Sequence, residues 1–130
     1  MPEGSLRASA PGEFSGLRLA SAAHTFASAT VTVDTLAVGD VVTRVWFEVT
    51  TAYNAGTTNV VTVGDGTTAN KYLAAADITE ATPAVYPTGG SGPFKAETAG
   101  GTLTVTYAQT GTAATTGAGR CYALIASAPE

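Results

Sequence analysis

The run Val41-Val42-Thr43-Arg44-Val45-Trp46-Phe47-Glu48-Val49 decides the fold class. Val41, Thr43, Val45, Phe47 and Val49 fall on one side of an extended chain, and Arg44 and Glu48 fall on the other. A period of two requires a pleated strand with one buried face. Trp46 shares the side of Arg44 and Glu48, opposite the expected core. Downstream, Asn59-Val60-Val61-Thr62-Val63 reads as a second strand, and Gly64-Asp65-Gly66 ends it with turn residues.

The same grammar extends in both directions. Leu17-Arg18-Leu19 is a weak strand, and His24 to Leu36 holds another, with Ala29, Val31 and Val33 on one side. Thr102-Leu103-Thr104-Val105-Thr106-Tyr107 alternates strictly, with Leu103, Val105 and Tyr107 inward. Residues 120–127 are apolar on both faces, as a central or interface strand would be. Lys71-Tyr72-Leu73-Ala74-Ala75-Ala76-Asp77 offers one or two helical turns at most, with Tyr72 and Leu73 tucked into the core. Strands without full-length helices predict an all-β fold, an antiparallel β-sandwich of jelly-roll or Ig-like type. Its expected core is Val31, Val33, Val45, Phe47, Val49, Val61, Val63, Leu103, Val105 and Tyr107.

Residues 1–16 read as an extended N-terminal arm, broken by Pro2, Gly4, Pro11, Gly12 and Gly16, before a sandwich domain over 17–130. Leu6 and Phe14 are the two residues with which the arm would anchor on a neighbouring subunit. Residues 82–101 read as a long structureless loop whose Tyr86 and Phe94 are candidate contact aromatics. A second loop, Gln109 to Gly119, reads as a wide hairpin tip.

With 130 residues the chain is one domain able to bury a core. Charged residues make up only 12%, about half the usual share, so Thr, Ala, Ser and Gly must cover the surface. Such a surface suits dense packing against neighbours, because little charge has to be desolvated. A net charge of −4 without any basic run speaks against contact with nucleic acid. Met1 to Arg7 lack the apolar core of a signal peptide, and no stretch has the length of a membrane helix. Synthesis in a cytoplasm without membrane partners is therefore expected, unless the chain leaves as part of a larger particle.

The residues that could do chemistry are few and scattered. Cys121 is the only cysteine, so no internal disulfide forms, and its apolar surroundings in the sequence make it a small buried hydrophobe. His24 is the only histidine, and no spacing ties it to Asp34 or Asp40, so a structural role is expected. One His and one Cys fall short of a zinc set. Gly64 to Lys71 fails the phosphate-loop pattern, since Asn70 and Tyr72 stand where Gly and Ser or Thr are needed. Asp65, Asn70 and Asp77 lack the calcium-loop spacing. Glu48, Glu80 and Glu97 form no inferable dyad. The reading is no enzyme, with no catalytic residue, cofactor or metal.

The segment Thr51-Ala52-Tyr53-Asn54-Ala55-Gly56-Thr57-Thr58-Asn59-Val60-Val61-Thr62-Val63-Gly64-Asp65, continuing through Lys71-Tyr72-Leu73-Ala74-Ala75-Ala76-Asp77-Ile78, resembles small β-sandwich structural proteins of tailed bacteriophages. Tyr53, Gly56, Asn59, Val63, Gly64, Tyr72, Leu73 and Asp77 match their pattern, and Ala23-His24-Thr25-Phe26 and Thr104-Val105-Thr106-Tyr107 are similar too. The resemblance covers most of residues 22–126 and leaves the first 20 unmatched. It implies a virion component, a capsid decoration or head-fibre-like subunit, and brings no catalytic residues. Low charge and the strand over 120–127 that is apolar on both faces point to a homo-oligomer; the resemblance makes it a homotrimer by analogy, in contact with the major capsid protein or another virion protein. The alternative is a carbohydrate- or receptor-binding sandwich of a tail fibre. The candidate interface residues are Leu6, Phe14, Trp46, Tyr86, Phe94, Tyr122 and Leu124.

Overall fold

A computed structural model describes residues 16–87 and 101–127. Leu6 and Phe14 of the expected arm, and Phe94 of the expected loop, lie outside the described residues. Seven strands are present among the described residues: β1 (Gly16–Thr25), β2 (Thr30–Leu36), β3 (Val41–Thr51), β4 (Thr58–Gly64), β5 (Ala84–Pro87), β6 (Gly101–Thr110) and β7 (Ala118–Ser127). A four-stranded sheet has the order β1-β7-β3-β5, and a three-stranded sheet the order β2-β6-β4. All pairings between strands are antiparallel, so the expected sandwich is the observed one.

Odd-numbered strands build one sheet and even-numbered strands the other, so each connection crosses the sandwich. This is jelly-roll order with one strand short in the second sheet. Irregular chain fills that place. Beside the edge strand β4, Val63 N–H donates to Leu73 O at 3.0 Å, and Leu73 N–H donates to Val63 O at 3.0 Å. Val61 N–H, turned to the open side, donates to Glu80 Oε2 at 2.8 Å. Glu80 O accepts from Tyr53 N–H at 3.0 Å, which ties the loop after β3 to the same edge. An edge strand satisfied in this way offers few free groups for unwanted pairing.

The core lies between the sheets and holds Val45, Phe47, Val49, Val61, Val63, Leu103, Val105 and Tyr107, as their parity predicts. Tyr72, Leu73 and Cys121 are buried with them. The helical hint shrinks to one 3-10 turn, Ala75–Asp77. Gly66, at φ 87°, supplies the left-handed residue that the turn after β4 needs. Asp65 Oδ1 in that turn accepts from Thr67 N–H and Thr68 N–H at 3.0 and 2.8 Å.

Five readings are corrected. The stretch Gln109 to Gly119 is no hairpin tip, because it crosses from β6 in one sheet to β7 in the other. In β3 the pairing with β7 shifts between Val42 and Arg44, so the alternation breaks at Thr43. Val42, not Thr43, is buried, and the Thr43 hydroxyl donates to Leu124 O at 2.9 Å. A similar irregularity lies between Thr32 and Asp34, and Val31 and Val33 are only half-buried against the core. The weak strand at residues 17–19 is in fact the ten-residue β1, paired along its length with β7. The long loop contains β5, which adds to the edge of β3 through pairs such as Phe47 with Tyr86.

Candidate assembly surface

The outer face of the four-stranded sheet is built row by row from the registers. Leu19 lies beside Leu124, and Leu124 beside Arg44. The next row is Ser21, Tyr122, Trp46 and Pro87. The next is Ala23, Arg120, Glu48 and Val85. Leu17, Leu19 and Val85 are 63%, 61% and 56% exposed, large values for apolar side chains. Trp46 and Tyr122 are half-buried and stack with ring centroids 5.7 Å apart and planes 16° from parallel. A contiguous apolar stripe of this kind, rimmed by charge, marks a contact surface.

Three predicted interface residues, Trp46, Tyr122 and Leu124, therefore come together on one face. Tyr86 does not join them. It packs against the core, and its hydroxyl donates to Thr82 O at 2.7 Å. The sequence reading missed Leu17, Leu19 and Val85. A Leu-Arg-Leu strand read alone buries its leucines. Here Arg18 turns inward, with Nε 2.8 Å from Asp34 Oδ2 and an Nη 3.3 Å from Asp40 Oδ2. It also donates to Ser127 Oγ at 3.0 Å and Thr35 O at 3.1 Å, which joins β1, β2 and β7 at this end. Burial would raise the Asp34 carboxyl, but the Arg18 bond and the Thr35 N–H outweigh it and hold it below the usual range. The strand parity follows, and both leucines face out.

The opposite outer face, on the three-stranded sheet, is a field of hydroxyls. Thr30, Thr32, Thr102, Thr104 and Thr106 line a shallow groove of about 350 Å³. Among the described residues its lining holds no charged and no aromatic side chain.

His24, Glu80 and Cys121 are titratable groups whose burial shapes their chemistry. His24 Nε2 lies 2.8 Å from Ser28 O, which can only accept, so Nε2 carries the proton. Nδ1 then accepts from the Tyr53 hydroxyl at 2.8 Å. The His24 ring sits among Phe47, Tyr53 and Tyr107, and burial lowers its pKa against the opposing Ser28 bond. Burial pushes the Cys121 thiol up to about 12, which leaves it unreactive at neutral pH. Burial also raises Glu80, partly offset by the Val61 N–H. Among the described residues no three His, Cys, Asp or Glu gather as a metal site, and no helix is long and apolar enough to cross a membrane.

No protein-family model matches the chain, and no curated protein does. Solved structures do. The chain is similar to a chain of the cyanophage Pam1 capsid asymmetric unit, with TM-score 0.69 and 22% identity over 96% of this chain and 94% of that one. It is also similar to a chain of the acidic stable capsid structure of Helicobacter pylori bacteriophage KHP30, with TM-score 0.62 and 21% identity over 87% and 89%. The jelly-roll sandwich described above is thus a fold that this chain shares with chains of phage capsids.

Proposed function

We propose that the chain is a non-enzymatic structural protein of a bacteriophage virion, an auxiliary decoration protein that binds the capsid surface as an oligomer. One observation carries this reading: the likeness to a chain of the Pam1 capsid asymmetric unit takes in 96% of this chain and 94% of that one. The match therefore takes in nearly all of both chains. The apolar stripe of exposed Leu17 and Leu19 beside half-buried Tyr122 and Leu124 supports an assembling protein, as does the 12% charged content. A homotrimer is proposed for the oligomer on the resemblance alone, with the major capsid protein as the further partner.

The test is the copy number per particle, measured by quantitative mass spectrometry of purified virions, with labelled protein located by electron microscopy. Copies in proportion to the head lattice support the decoration role. A few copies confined to the tail overturn it. A saturable change of Trp46 fluorescence on titration with host surface glycans would instead favour a receptor-binding module.

A further inference from the structure

We propose that the outer face of the four-stranded sheet pairs face to face with the same face of a second copy, across a two-fold axis running along the Tyr122–Trp46 row. Past its bulge, β3 turns every second side chain outward. The outward positions read Arg44, Trp46, Glu48: a cation, an aromatic, an anion. Arg44 and Glu48 lie about 13 Å apart on an extended strand, with Trp46 midway. Neither has an ion-pair partner among the described residues.

A two-fold axis lying between two stacked sheets and crossing their strands keeps each strand over its own copy and reverses its direction. Trp46 and Tyr122 then meet their equivalents on the axis. Arg44 of each copy faces Glu48 of the other, twice by symmetry. The apolar stripe alone would accept any greasy surface. The charge order is antisymmetric about Trp46, and a second copy of this chain, turned over, supplies the complement. The row of Leu19 and Leu124 lies against Ala23 and Arg120 of the second copy. The aliphatic stem of Arg120 can cover Leu124 while its guanidinium keeps its 3.3 Å bond to Ser21 Oγ.

The face is small, roughly 450 Å² per copy from strand spacing and rise, about half the usual share of a stable interface. Pairing is accordingly weak between free copies and strong where copies are held side by side, since local concentration drives it. The contact is read from this chain alone. It stands apart from the capsid reading and from any ring formed through other surfaces.

Sedimentation velocity of the purified chain across a wide concentration range, at low salt, tests the pairing. The wild-type species doubles in mass as concentration rises. Arg44→Glu and Glu48→Arg each weaken the doubling by at least about tenfold, because like charges then face each other twice. Mixed in equal amounts, the two variants pair again, one with carboxylates at both positions and the other with guanidinium groups at both. Circular dichroism and melting of each variant check that the fold is intact, and the mixing arm needs both folded. Failure of the wild type to double overturns the proposal, and so does failure of the variants to pair on mixing. Dissociation by Glu48→Arg but not by Arg44→Glu overturns this axis, because it indicates pairing of Glu48 with Arg120 instead.

Discussion

Replacing Glu80 by alanine strips the edge of β4 of a charged acceptor. Val61 is fully buried, and its N–H has been turned from β6 toward the Glu80 carboxylate, 2.8 Å away. No water replaces that oxygen easily, so a stranded donor costs about 1–3 kcal/mol. Part of the loss is returned, because the buried carboxylate is itself uncomfortable: burial raises its pKa above the usual 4.5. The net expectation for Glu80→Ala is a destabilisation of about 1–2 kcal/mol, or on the order of 5 °C in melting temperature for a domain of this size. Glu80→Gln keeps an acceptor for Val61 and removes the buried charge, so it should lie within about 0.5 kcal/mol of the parent. The sign of the pH effect follows from the raised pKa. The unfolded carboxyl loses its proton near 4.5 while the folded one keeps it, so this group's contribution to stability falls as pH rises from about 4.5 through the folded value. Glu80→Gln should abolish that part of the profile. Denaturant unfolding at fixed protein concentration, from pH 4 to 8, measures all three proteins. Equal stability of Glu80→Ala and the parent refutes the reasoning. So does a Gln variant as weak as the Ala variant, which would mean that the β4 edge does not depend on this acceptor.

Phe47→Ala should cost about 3–5 kcal/mol in chemical unfolding, since the ring is fully buried between the sheets. Tyr53→Phe should cost about 1–2 kcal/mol, because it leaves His24 Nδ1 buried without its donor. In the Glu80→Gln background, stability should fall as pH drops below about 6.5: the unfolded His24 takes up a proton there, while the folded one, with its lowered pKa, does not. A flat profile between pH 7 and 5 would count against that burial effect. Cys121 should resist a thiol reagent at pH 8 in the native protein and react promptly in denaturant, followed by mass spectrometry.

Much of the core is legible in the sequence because the alternation of β4, β6 and the second half of β3 is a local property. Side chains two apart share a face whatever the partner strand, so Val45, Phe47, Val61, Val63, Leu103 and Val105 could be placed inside before any pairing was known. Trp46, on the other face of β3, was legible for the same reason, and it meets Tyr122 of β7 there. The burial of Cys121 and Leu73 followed from their apolar neighbours in the sequence. Everything that depends on a second strand was hidden. Successive strands alternate between sheets, so no tight hairpin sets a register, and β1 meets β7 across nearly the whole chain. The bulge at Thr43 exists only against β7, and it exchanges the expected buried Thr43 for Val42. The four-residue β5 has no pattern of its own and becomes a strand by adding to β3. Arg18 faces inward because Asp34 and Asp40 arrive from β2 and the turn after it, and that ion cluster exposes Leu17 and Leu19. Periodicity along one strand therefore determined which side chains the core receives, while contacts between residues far apart in the chain decided which face was left to meet a partner.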